Sequence, residues 1–144
     1  MRADHSRYFP VFLLLLSLLL AGCSGSDGLS IECDLFEDNP DQVAETTVAA
    51  GEEFKVTLCS MRNHGYRWSD PVNIDNPQVV LELSTAFESG RSPMGGFSGK
   101  ESWLFRALQP GNAVITLEHT QISGLNTRGI LTYRLAVTVQ AAAQ

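Results

Sequence analysis

Several features are missing from these 144 residues, and each absence closes off a class of function. Lys and Arg are not clustered: acidic residues outnumber basic ones 16 to 10, and the formal net charge is −6. That balance argues against a nucleic-acid partner, because phosphate contacts need grouped cations. No CxxC pair occurs, and neither Cys33 nor Cys59 has a histidine at ligand spacing, so no metal and no cofactor are read. No nucleophile, base and orienting group form a motif, and paired carboxylates lack any motif context, so an enzyme is not expected. Internal repeats, long low-complexity segments and any sustained helical period with caps are absent as well. The most apolar run, Val11 to Leu20, is interrupted by Ser17 and is too short to cross a bilayer, which takes about 20 residues.

That run has another reading. It follows Arg2 and Arg7 and ends in Leu20-Ala21-Gly22-Cys23, an apolar segment closing on small residues in the manner of a signal peptide. The ending resembles the lipobox of bacterial lipoproteins, and the resemblance implies cleavage before Cys23 and acylation of its sulfur. An ordinary signal peptide with a chance cysteine is the competing reading. Residues 1–22 are then the signal, and 23–30 are the lipidated cysteine with a flexible Ser/Gly tether of about 15 Å. Residues 31–140 form one domain, and 141–144 a tail. The expected location is the bacterial cell envelope, lipid-anchored, facing the periplasm or in the outer membrane if the cell is Gram-negative. Removing the signal takes away Arg2, Arg7 and Asp4 and brings the formal charge to −7.

With Cys23 set aside, Cys33 and Cys59 remain as an even pair in an oxidising setting. A disulfide between them closes a span of 26 residues and is worth about 3 kcal/mol in the chain-entropy model. Two free buried thiols are the alternative.

Period-2 alternation dominates the domain. Phe54, Val56 and Leu58 share one face of "EEFKVTLC", and Ala113, Ile115 and Leu117 share one face of "NAVITLEH". Leu131, Tyr133, Leu135, Val137 and Val139 alternate with Thr132, Arg134 and Thr138. "QVVLELS" and "ESWLFRAL" are further strands, the second apolar on both faces as a central strand would be. Turn signals at Ala50-Gly51, Asp75-Asn76-Pro77 and Gln109-Pro110-Gly111-Asn112 separate them. The pattern predicts an all-β, immunoglobulin-like β-sandwich of about seven strands in two sheets. Three long connections remain, Ser60–Gly65, Ser84–Lys100 and Thr120–Gly129, expected to emerge at one end.

"CDLF" followed by "VTLCSMRNHGYRWSDP", and then "GGFSGKESWLFRALQPGNAVITLEH", resembles the chagasin family, immunoglobulin-like protein inhibitors of papain-like cysteine peptidases. The likeness runs from about Glu32 to Gln140. Gly65, Tyr66 and Trp68 match its first-loop motif. Its Asn-Pro-Thr-Thr tip is here Met61-Arg62-Asn63-His64, and its third-loop Arg-Pro-Trp falls on Gln121-Ile122-Ser123. The resemblance implies three adjacent loops filling a peptidase cleft, carried here by Asn63, His64, Gly65, Tyr66, Met94, Gly95, Gly96, Phe97, Gln121, Ile122 and Ser123. Met94 and Phe97 are either apolar anchors for the partner or side chains tucked onto the sheet. His64 either faces the target's imidazolium or faces water, and a metal pair with His119 lacks further ligands. A monomer with a papain-like peptidase as partner is the expected state. The alternative, suggested by the two altered tips, is a lipid-anchored interaction module without inhibitory activity.

Overall fold

The computed structural model describes residues 28–31, 33–90, 96–122 and 129–143, the side chains of 129 and 130 excepted. The signal segment, the lipidation site Cys23 and most of the tether therefore lie outside the described residues. Among the described residues, nine strands form two sheets. The first has β1 (Leu29–Ser30), β3 (Glu53–Ser60), β7 (Gly99–Ala107) and β6 (Val80–Ser89), in that order. The second has β2 (Asp41–Ala49), β9 (Gly129–Gln140), β8 (Gly111–Gln121) and β4 (Tyr66–Trp68), with β5 (Asn73–Ile74) also paired to β8. The expected sandwich is present. The count of nine exceeds the expected seven through β1 and β5, two-residue strands too short to show a period.

The alternating residues fill the space between the sheets. Val56, Leu58, Trp103, Phe105, Ile115, Leu117, Tyr133 and Leu135 are each at most 1% exposed. Burying a large apolar side chain contributes about 1.5–3 kcal/mol, so this face-to-face contact is the main favourable term. Register brings like side chains together: Phe54 opposes Phe105, and their rings stack with centroids 5.4 Å apart. β7 is a central strand as expected, although Arg106 on its outer face is exposed and Leu104 only half-buried.

Three differences from the sequence expectation have physical causes. β2, absent from the expected strands, pairs in parallel with β9 from Asp41↔Thr132 to Ala49↔Gln140. Its half-buried face runs Gln42, Ala44, Thr46, Val48, two polar residues and one small one before a single valine, and Val43 points out at 71% exposure, so its period is faint. The second connection is shorter than Ser84–Lys100, because β6 continues to Ser89 and β7 begins at Gly99. The backbone ladder to β7 holds that edge strand, and its largely exposed side chains leave no alternation to read. A six-residue helix, α1 (Cys33–Asp38), precedes β2; it is too short for periodicity and is anchored by buried Phe36 and by the disulfide Cys33–Cys59.

Candidate functional site

Strand register decides where the connections go. Ser60 at the end of β3 opposes Gly99 at the start of β7, and Gly99 opposes Ser89 at the end of β6. In the other sheet Tyr66 at the start of β4 opposes Gln121 at the end of β8, and Thr120 opposes Gly129 at the start of β9. The connection from β3 to β4 crosses between the sheets at this end. All three therefore spring from one end of the sandwich.

The first connection is a tight turn. Residues Arg62–His64 form a 3-10 turn, and Gly65 closes it in the left-handed region at φ 81°, where a Cβ is strained. The Met61 carbonyl accepts from the His64 N–H at 2.8 Å and from the Tyr66 N–H at 3.4 Å, and the Arg62 carbonyl accepts from the Gly65 N–H at 3.2 Å. Arg62, Asn63 and His64 are exposed, whereas Gly65 and Tyr66 are half-buried. The Arg62 guanidinium lies over the Phe87 ring, 5.2 Å from its centroid.

Polar ties join the roots of the three connections. The Ser98 N–H donates to the Ser60 carbonyl at 2.8 Å, and the Asn63 N–H donates to Ser98 Oγ at 3.3 Å, linking the first connection to the second. The Ile122 N–H donates to the Gly65 carbonyl at 2.8 Å, linking the first to the third. Ser60 Oγ donates to the buried Glu101 carboxylate at 2.5 Å and accepts from the Arg62 N–H at 3.2 Å. Under the turn lies His119, fully buried, with Nε2 accepting from the Met61 N–H at 3.4 Å. Its ring stacks on Tyr66 at 5.7 Å and meets Trp68 at 4.9 Å. Burial without a countercharge pushes the imidazole pKa down to about 4. Trp68 is the expected core tryptophan, donating from Nε1 to the Cys59 carbonyl at 2.8 Å.

Of the residues singled out from sequence, Asn63, His64, Gly65, Tyr66, Gln121 and Ile122 gather at this end, with Gly96 and Phe97 on the second connection. Phe97 is half-buried and packs against the core. Met94, Gly95 and Ser123 lie outside the described residues. His64 is exposed and His119 is buried, and among the described residues no group of three or more His, Cys, Asp or Glu is placed to hold a metal. Sequence reasoning missed the buried polar set of Ser60, Ser98, Glu101 and the structural role of His119. A signal existed: Glu101 is in phase with Trp103 and Phe105, and His119 with Ile115 and Leu117, so both were on inward faces.

Fold and loop end together describe an all-β sandwich that presents three connections at one end. Residues 47–137 match the family model described as chagasin family peptidase inhibitor I42, and the chain belongs to that family of inhibitors, which are not enzymes. Among solved structures it is similar to the cysteine protease inhibitor EhICP2 from Entamoeba histolytica, with 12% identity and a TM-score of 0.56, covering 69% of this chain and 96% of that one. Amebosin matches at 21% identity and a TM-score of 0.48, covering 69% of this chain and 98% of that one. PbICP-C, solved in complex with falcipain-2, matches at 18% identity and a TM-score of 0.46, covering 69% and 89%. No curated protein matches the sequence.

Proposed function

We propose that this protein inhibits papain-like cysteine peptidases by seating the three-connection end in the active-site cleft. The observation that carries the reading is the cross-tying of the loop roots, Ser98 to Ser60 and Ile122 to Gly65, on a family-typical sandwich. A rigid surface loses little conformational entropy on entering a cleft. The first turn also resists cleavage. Its Met61 and Arg62 carbonyls are engaged in intraloop hydrogen bonds, so the chain there is not extended as a scissile peptide must be for thiolate attack. Titrating the purified protein into a papain-type peptidase tests the reading: activity falls stoichiometrically at micromolar protein. Undiminished activity at that concentration refutes it.

The altered tips favour a second reading, an envelope interaction module that retains the fold without inhibition. Asn63 and His64 stand where the family has hydroxyl residues, and Gln121-Ile122-Ser123 where it has Arg-Pro-Trp. The same titration separates the two. In either case the protein is a monomer held at the membrane by acylated Cys23, and Cys23→Ala then abolishes incorporation of labelled palmitate and releases the protein from membranes.

A further inference from the structure

The described part of the loop end has two chemistries. Arg62, Asn63 and His64 make an exposed polar tip, and Ile122 stands beside it at 52% exposure. Within the described residues of the three connections, Ile122 is the large apolar side chain left open to solvent. Phe97 packs on the core, and Met61 is half-buried. The position is not loose. Ile122 follows the last residue of β8, and its N–H is bonded to the Gly65 carbonyl at 2.8 Å, so any cleft that receives the first turn also receives Ile122. A β-branched side chain has few χ1 states, and a pinned backbone adds little more entropy to lose.

From this geometry we infer that Ile122 is a specificity-determining residue, filling an apolar substrate side-chain pocket beside the target peptidase's nucleophile. The inference rests on the inhibitor reading above and names the class of target: an enzyme that selects aliphatic side chains near the scissile bond. Peptidase subsites suit this role, since ligand pockets are lined mainly by apolar side chains with a few polar groups. The polar tip at residues 62–64 then faces the charged catalytic groups, and Ile122 faces the neighbouring wall.

The test compares inhibition constants of the full chain and its Ile122→Ala and Ile122→Asp variants. Two papain-type peptidases are used, one preferring aliphatic and one preferring arginine side chains in substrates. Ile122→Ala raises the constant about tenfold for the aliphatic-preferring enzyme, as expected for losing a half-buried aliphatic contact, and under about twofold for the other. Ile122→Asp raises it about a hundredfold for the first enzyme, because a charge enters an apolar pocket. Urea midpoints of both variants stay at the wild-type value, since the side chain is half exposed and the backbone bond survives. Equal effects on both enzymes, no effect on either, or a midpoint loss that tracks the lost inhibition overturns the assignment. A wild-type protein that inhibits neither enzyme overturns the inhibitor reading itself, so the two failures are distinguishable.

Discussion

His119 couples the loop end to pH, and the coupling has a definite sign. The imidazole is buried among Tyr66, Trp68 and the first turn, and its pKa is pushed down to about 4 from the ordinary 6.5. The unfolded chain takes up a proton near pH 6.5, whereas the folded chain resists until about 4. Stability from this group is therefore complete above pH 6.5, declines as pH falls from 6.5 to 4, and changes no further below 4. A difference of about 2.5 units at 1.36 kcal/mol per unit sets the loss at roughly 3 kcal/mol. That is a large fraction of the 5–15 kcal/mol typical of a domain.

Carboxylates also titrate in acid, so the perturbation must isolate the imidazole. His119→Gln retains an acceptor for the Met61 N–H and removes the titration. Urea unfolding of wild type and variant near pH 7.5, 5.5 and 4 gives the required double difference. Near neutrality the variant is the less stable of the two, having lost the ring stacking on Tyr66 and Trp68. That gap narrows by roughly 3 kcal/mol between pH 7.5 and 4. A gap that is constant across the three pH values refutes the reasoning.

Other residues give shorter tests. Replacing both Cys33 and Cys59 by Ser lowers unfolding free energy by about 3 kcal/mol, read from urea midpoints, because the 26-residue separation reopens in the unfolded chain. Gly65→Ala, at φ 81°, costs about 1–2 kcal/mol and weakens peptidase inhibition in the same protein; an unchanged midpoint would show that the turn tolerates a Cβ. Ser60→Ala removes the donor to buried Glu101 and the acceptor for the Arg62 N–H, costing about 1–3 kcal/mol and raising the inhibition constant; both are measured on one preparation.

The body of the protein was legible because burial imposes a period. β3, β8 and β9 place apolar residues at alternate positions along most of their length, and those residues lie in the core. Elements held by something other than burial left no such trace. β2 is fixed by its ladder to β9 while exposing Val43, the outer half of β6 by its ladder to β7, and α1 by one phenylalanine and a disulfide. The candidate site was legible in place but not in construction. Gly65, Tyr66 and Ile122 were marked, while the ties that hold them, from Ser98 to Ser60 and from Ser60 to Glu101, join residues 38 and 41 positions apart and carry no local signal.

Those ties explain how a chain can change its fingertips and still present them. The bonds from Ser98 to Ser60 and from Ile122 to Gly65 join backbone groups, which every residue but proline provides in full. The side-chain requirements are few: a glycine at 65 for its positive φ, hydroxyls at 60 and 98, a carboxylate at 101 and the acceptor nitrogen of His119. Asn63, His64 and Ile122 contribute no side-chain hydrogen bond among the described residues. Their identity is therefore free to change without altering the posture of the turn. Replacing hydroxyls by Asn63 and His64 leaves the same rigid end with a different chemistry, whereas Ile122 adds a backbone N–H donor to Gly65 that a proline at that position lacks. Divergence at these positions is then expected to move target preference before it moves stability, and the two quantities can be measured independently on the same variants.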